Sequence, residues 1–124
     1  MEPTTGVIDM SRLLSVCTLG GSVDQNLLLE LLRMFIVDND ERIGALHGTL
    51  TTGDYEALRR LVHTVGGSAA TAGATRLADM ARAVETELRA GGKPSGEALQ
   101  AIVNEFGEVR TKLYALYPAL EGQA

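Results

Sequence analysis

The sequence predicts an all-α protein, an antiparallel up-down-up-down four-helix bundle with a short additional N-terminal helix. Apolar residues recur at spacings of three and four, glycine-rich turns separate these stretches, and no alternating strand pattern stands out. The chain has 124 residues, 45% of them hydrophobic, which suffices for the core of one domain. We therefore expect a single domain over residues 1–124, with its core at about residues 9–117.

Two helices are predicted before residue 51. A short helix at about residues 9–19 ends at the turn of residues 20–22. Ser22 then begins a long helix, and Gln25 completes a capping-box pattern. The charged segment of residues 38–42 is interpreted as the solvated face of this helix. Its apolar stripe comprises Leu28, Leu31, Leu32, Phe35, Ile43, Leu46 and Leu50.

Three further helices follow, each with its own start or stop signal. After a turn at residues 51–53, Asp54 is the predicted N-cap of the third helix, which stops at Gly73. The fourth covers about residues 74–90. The last begins after the N-cap Ser95 and ends at Pro118. Their stripes comprise Leu58, Leu61, Val62, Val65 and Ala69, then Leu77, Ala81, Val84 and Leu88, then Leu99, Ile102, Phe106, Val109, Leu113 and Leu116.

Composition excludes several classes of function. The net charge of −5 argues against a nucleic-acid binder, which needs a basic face. No apolar run is long enough to span a bilayer, and the first ten residues lack the pattern of a signal peptide. The single cysteine, Cys17, excludes an internal disulfide and is interpreted as a packed thiol. We therefore expect a cytoplasmic domain that itself contacts neither nucleic acid nor membrane.

His63 is predicted to lie on the exposed face of the third helix. At about 100° per residue, with Leu58 as zero, the apolar stripe falls within about 60°, and His63 falls near 140°. The residues expected around it on this face are Arg59, Arg60, Gly66, Gly67 and Ala70. We interpret the glycines as clearing the surface for a partner protein. The arginines would supply positive charge for an anion on the imidazole.

Two interpretations of this pattern stay open at the level of spacing. In the first, His63 is a nucleophile on a continuous helix, with the free ring nitrogen as the attacking atom. In the second, His63 is an ordinary surface residue, and the Gly66-Gly67-Ser68 sequence is a turn that ends the helix at Thr64.

Other chemistries find little support. His47 has no histidine or cysteine at helical spacing, and the acidic segment lacks the twelve-residue calcium loop, so no metal site is predicted. The glycine-rich stretch after His63 has neither the G-x-G-x-x-G nor the G-x-x-x-x-G-K spacing of phosphate-binding loops. No ATP site is therefore predicted. Ser68 has no base and orienting residue beside it. We expect no enzyme activity of the chain's own.

Residues 63–77, with the sequence HTVGGSAATAGATRL, resemble the signature of histidine-containing phosphotransfer (HPt) domains. That signature has H-x-L-K-G-S-S, a small or apolar stretch, G-A and a leucine. Asp54 matches the acidic residue that opens the histidine helix, and residues 83–85 match a later L-E position. Residues 27–46 resemble the preceding helix of the family, so the resemblance covers about residues 9–116.

One position departs from the family pattern. The lysine three residues after the histidine is Gly66 here, whereas the glycine of the next position is present as Gly67. The loss of that charge bears on affinity for a partner, and it leaves Arg59 and Arg60 to supply positive charge instead.

The resemblance implies a phosphorelay intermediate. His63 would accept a phosphoryl group from the aspartyl phosphate of a response-regulator receiver domain and pass it to another receiver aspartate. The receiver would supply Mg²⁺, and the chain itself would need no cofactor. Glu85 would orient His63 by binding the other ring nitrogen. The alternative for Glu85 is an ordinary exposed helix glutamate.

The domain would be free-standing or part of a hybrid sensor histidine kinase. The alternative is an interaction-only bundle that binds a receiver or a helix without accepting phosphate.

Overall fold

A computed structural model describes residues 8–121, apart from the side chain of Leu19, and these residues are mostly helical. This confirms the predicted all-α class. Residues 1–7 lie outside the described residues. They include most of the ten N-terminal residues for which no signal peptide is predicted. The elements in chain order are α1 (Ser11–Val16), β1 (Thr18–Leu19), β2 (Ser22–Val23), α2 (Gln25–Gly44), α3 (Leu46–Thr52), α4 (Tyr55–Ala72), α5 (Thr75–Arg89), α6 (Gly96–Leu116) and α7 (Pro118–Glu121).

The segment between α1 and α2 differs from the prediction. β1 and β2 pair antiparallel as a minimal hairpin, with Thr18 opposite Val23, so the expectation of no strand is wrong for these few residues. Gly20 and Gly21 both have positive φ angles, 58° and 85°, which a two-residue hairpin turn favours. Ser22 is therefore in β2 and is not the N-cap of α2. Asp24 caps α2 instead, accepting a hydrogen bond from the Leu27 amide at 3.0 Å.

The predicted long second helix is divided into α2 and α3. The helix ends at Gly44, and the Ala45 amide donates to the Arg42 carbonyl at 3.1 Å, three residues back rather than four. This tightened turn sits beside glycine, which has a low helix propensity. α3 then continues to Thr52, so only Gly53, with φ 77°, remains of the predicted turn.

The later helix boundaries agree closely with the prediction. The Asp54 carboxylate accepts from the Ala57 amide at 3.0 Å, and the Ser95 hydroxyl accepts from the Ala98 amide at 3.0 Å. Gly73, with φ 85°, ends α4. α6 ends at Leu116, but Pro118 begins the short helix α7 instead of closing the helical part of the chain. Proline fits there because its fixed φ suits the first helical position.

α4 and α6 share three neighbours. Each of them packs against α2, α3 and α5; in addition, α1 contacts α4, and α7 contacts α6. The core between them is built mainly from the predicted stripes, and an ion pair from Arg76 Nε to Glu105 Oε1 at 3.3 Å links α5 to α6. Cys17 is fully buried, and burial raises the pKa of its thiol, as expected for a packed cysteine. None of the helices in residues 8–121 is both long and apolar enough to cross a membrane.

Asn39 contradicts the interpretation of residues 38–42 as a fully solvated face, because it is completely buried. It lies four residues from both Phe35 and Ile43, so helical periodicity places it on the apolar stripe. Its Nδ2 donates to the Phe35 carbonyl and to Ser68 Oγ, both at 2.9 Å, and its Oδ1 accepts from Arg42 at 3.2 Å. The amide is thus satisfied while it links α2 to α4.

The C-terminal end of α4 meets the chain before α1 very closely at Gly73. The Asp9 amide donates to the Gly73 carbonyl at 2.7 Å, and a Cβ on Gly73 would overlap the Asp9 carbonyl oxygen. Glycine is required here for its positive φ and for the lack of a side chain.

We expect Gly73→Ala to lower the free energy of unfolding by about 2–4 kcal/mol, because it combines left-handed strain with overlap. Gly53→Ala is the matched control, since Gly53 also has a positive φ but no atom within 4 Å of the added Cβ. Its cost should stay near 1–2 kcal/mol, roughly the strain alone. Equal losses for both variants in urea unfolding would contradict the close approach.

Candidate functional site

The helix that carries His63 is continuous. α4 keeps its helical hydrogen bonds through Gly66 and Gly67 to Ala72, so the interpretation of this stretch as a turn is wrong. The ring of His63 is on the exposed surface, with 63% of its side chain accessible. A histidine with a free face therefore stands on a regular, firmly packed helix.

One ring nitrogen of His63 is held by the neighbouring helix. Nδ1 lies 2.8 Å from Oε2 of Glu85 on α5, whose side chain is only 12% exposed. Hydrogen bonds from Arg89 and His63 hold the pKa of Glu85 below its usual range, against the opposing effect of partial burial. An ionised carboxylate can only accept, so Nδ1 donates. In the neutral ring Nε2 then carries the free lone pair.

Arg89 is a member of this cluster that the sequence analysis missed. Its Nη2 and Nε lie 2.8 and 3.1 Å from the same Oε2 atom of Glu85. The signal was present in the sequence, because Arg89 follows Glu85 by four residues, the spacing of a helical ion pair.

The two arginines before His63 are paired within their own helix. Arg59 binds both carboxylate oxygens of Glu56, at 2.7 and 3.2 Å, and Arg60 lies 3.4 Å from one of them. Arg59 also reaches to 4.0 Å from Glu85. Glu56 was likewise missed, although it precedes the arginines by three and four residues. Their charge beside His63 is therefore partly neutralised before any partner arrives.

The two glycines after His63 point in different directions. Gly66 is buried against α5, where an added Cβ would lie 3.5 Å from Ala81 Cβ, so its predicted place on the open face is wrong. The helical twist between consecutive residues explains this, because about 100° separates an inward from an outward position. Gly67 is exposed, with no atom within 4 Å of an added Cβ, and Ala70 is half-buried.

Comparison with known proteins identifies the family. The family model described as "Hpt domain" matches residues 30–116, well over half of the chain. The chain belongs to the Hpt domain family. Neither the curated proteins nor the solved structures contain a match. Hpt domains are phosphotransfer modules without kinase activity of their own, and membership implies a role in phosphorelays and interaction with receiver domains of response regulators.

The remaining polar candidates of this Hpt domain lie apart from the cluster. His47 pairs with Gln100 at 3.2 Å, and Ser68 Oγ accepts the hydrogen bond from Asn39. Within residues 8–121, no three histidine, cysteine or acidic side chains come together as a metal site.

An apolar groove of about 400 Å³ runs beside α4, between α1 and α2. Its lining includes Val16 and Met34, which are 59% and 51% exposed, and Ser68 and Thr71 from α4. Thr71 follows His63 by two helical turns on α4. The histidine and the apolar groove are therefore on the same helix.

We expect Gly67→Ala to stabilise the Hpt domain by about 0.5–1 kcal/mol, since alanine favours a helix interior and its methyl group meets no neighbour. Gly66→Ala should have the same sign, because its nearest contact is an ordinary 3.5 Å. Urea unfolding measures both. A loss of stability in either variant would contradict the continuous helix and the space found around these glycines.

Proposed function

We propose that this Hpt domain is a phosphorelay intermediate in which His63 carries the phosphoryl group. His63 accepts it from the aspartyl phosphate of one receiver domain and passes it to the aspartate of another. The observation that carries this proposal is the exposed imidazole whose Nδ1 is bound to Glu85 at 2.8 Å. This arrangement directs the nucleophilic Nε2 away from the protein.

The reaction is a displacement at phosphorus. The Nε2 lone pair forms the N–P bond, and the P–O bond to the receiver aspartate breaks, leaving that aspartate as a carboxylate. The imidazole gains positive charge as the bond forms, and the Glu85 carboxylate stabilises it through the Nδ1 proton. The onward step reverses these changes at the second receiver. Binding of Nδ1 also removes one rotational freedom of the ring before the partner docks.

The proposed partner brings the remaining chemistry. The phosphoryl oxygens and the leaving carboxylate need a cation, and we assign this Mg²⁺ to the receiver, with no cofactor held by the Hpt domain. Gly67, Ala70, Arg59 and Arg60 form the proposed docking surface around His63. The apolar groove on the same helix supports the docking of a protein face, which buries more surface than a small phosphate ion could.

We propose that the four long helical units, α2 with α3, α4, α5 and α6, form an antiparallel up-down-up-down bundle, with α1 as the additional helix. Short connections favour antiparallel neighbours. The contacts of α4 and α6 with both α2 and α5 support a closed ring of helices.

We also propose a single domain in the cytoplasm, free-standing or within a hybrid sensor histidine kinase. The single cysteine fits a reducing compartment.

A second candidate function rests on Gly66. The family pattern has a lysine at this position, and the arginines that could replace its charge are bound to Glu56. An interaction-only bundle that binds a receiver without accepting phosphate would account for this loss.

We expect a phosphorylated receiver domain with Mg²⁺ to label the wild-type chain with an acid-labile, alkali-stable phosphate. His63→Gln should abolish labelling because glutamine has no nucleophilic ring nitrogen, and His47→Gln, which changes the other histidine, should retain it. Radiolabel transfer followed by acid and alkali treatment measures this. Receiver binding by the wild type without any label would establish the interaction-only alternative.

We expect Gly67→Arg to slow transfer from the receiver at least 10-fold, since the side chain would occupy the docking surface next to His63 and weaken the approach of the partner. Gly107→Arg on α6 is the matched control, because Gly107 also has no atom within 4 Å of an added Cβ. The control should transfer at the wild-type rate. Equal rates for all three proteins would show that the open surface at Gly67 plays no part in docking.

A further inference from the structure

We propose that Arg89 is a positioning residue for phosphotransfer, which holds the Glu85 carboxylate in the place and charge state that orient His63. This inference rests on the proposed function of His63. It concerns how the nucleophile is prepared before any partner binds.

The geometry places Arg89 and His63 on one atom. Oε2 of Glu85 receives Arg89 Nη2 at 2.8 Å, Arg89 Nε at 3.1 Å and His63 Nδ1 at 2.8 Å. A glutamate side chain has three rotatable torsions, and a single bond to a mobile ring would leave it several rotamers. The two-point contact with a planar guanidinium fixes which oxygen faces the imidazole and where that oxygen lies.

The charge of Arg89 also affects which ring nitrogen of His63 carries the proton. An ionised carboxylate accepts hydrogen bonds only, and thereby requires the proton to be on Nδ1. A protonated Glu85 could instead donate to Nδ1, and the free lone pair would no longer be on Nε2. Arg89 stabilises the ionised form through a charge-assisted contact one helical turn away.

Arg59 cannot replace Arg89 without giving up its own contacts. It lies 4.0 Å from Glu85, beyond hydrogen-bond distance, and both of its bonds go to Glu56 on the same helix. Of the two arginines near Glu85, Arg89 therefore makes the direct contact.

A direct role for Arg89 at the phosphoryl group is the competing explanation. Its side chain is 58% exposed, so a guanidinium nitrogen could contact an incoming phosphate. The two roles differ in one measurable respect. A residue that acts through Glu85 has no further effect once Glu85 is changed, whereas a residue that touches phosphate keeps its effect.

The rate test uses the full chain and phosphoramidate, a small phosphoryl donor that needs no receiver docking and releases ammonia as its P–N bond breaks. We expect Arg89→Gln to slow phosphorylation of His63 about 10-fold, as for other groups that orient a reactive ligand. Arg89→Lys should recover part of the rate, because it restores the charge without the planar two-point contact. Arg89→Gln combined with Glu85→Gln should be no slower than Glu85→Gln alone.

A second measurement separates positioning from general structural damage. ¹⁵N NMR of His63 in the neutral ring should show the proton mainly on Nδ1 in the wild type. Arg89→Gln should shift it towards Nε2. Lys112→Gln is the control, because it removes one positive charge from an exposed position on α6 and should change neither rate nor tautomer. Unfolding midpoints confirm that each variant is folded.

Wild-type rate and tautomer in Arg89→Gln would overturn the proposal. So would a slowing by Arg89→Gln that persists beside Glu85→Gln, which would assign Arg89 to the phosphoryl group. Should Arg89→Gln fail to fold, the rate and tautomer of Arg89→Lys decide in the same way, and wild-type values overturn the proposal. Failure of the proposed function looks different: the wild type then remains unlabelled by a phosphorylated receiver, while the tautomer still reports whether Arg89 positions Glu85.

Discussion

The close packing of α4 against α5 is the constraint on which the site depends. Small residues line this contact, with Gly66 on α4 facing Ala78 and Ala81 on α5. Because the backbones approach closely, a glutamate one turn beyond Ala81 can reach across to the histidine helix. Side chains larger than alanine pointing into this contact would widen the gap and lengthen the 2.8 Å contact between Nδ1 and Oε2. The orientation of the imidazole is therefore a consequence of core packing as much as of polar chemistry.

The charges of the site are paired locally on each helix. Glu56 partly neutralises Arg59 and Arg60 on α4, and Arg89 pairs with Glu85 on α5. Among these polar contacts, the one from His63 Nδ1 to Glu85 Oε2 joins α4 to α5 within hydrogen-bond distance, at 2.8 Å. Exposed pairs such as those of Glu56 add little stability, typically below about 1 kcal/mol. Their value lies in geometry, since they keep long side chains in defined places around the ring of His63.

The sequence predicted the later helices well because their ends carry strong local signals. Asp54 and Ser95 cap helices in the predicted way, and Gly73 ends one with a positive φ. The second helix was less predictable. Asp24 and Ser22 are both good capping residues, and only the hairpin formed by the two preceding glycines decides between them. Asn39 was assigned to the solvated face because asparagine is polar. Helical spacing could not show that its hydrogen-bond partner Ser68 lies on another helix.

The candidate site was predictable to the extent that helical spacing carries it. His63 and Glu85 were both identified, although the contact between them depended on a family resemblance, since no spacing rule relates residues on different helices. Arg89 and Glu56 follow the rule for ion pairs within a helix, and attention to that rule would have found them. The direction of Gly66 could not be predicted in the same way, because its wheel angle falls at the edge of the apolar stripe and the width of that stripe is set by α5.

The two adjacent glycines thus have different physical explanations. Gly67 leaves a bare patch on the exposed face, next to the ring of His63. Gly66 faces α5, yet an alanine Cβ there would meet only ordinary contacts, the nearest at 3.5 Å. Packing alone therefore does not require glycine at this position. A longer side chain would have to leave the contact beside Arg82, whose Cγ lies 3.6 Å from the added Cβ, and would emerge close to a residue that is already cationic. Repulsion between like charges there is a physical argument against a lysine at this position of the chain.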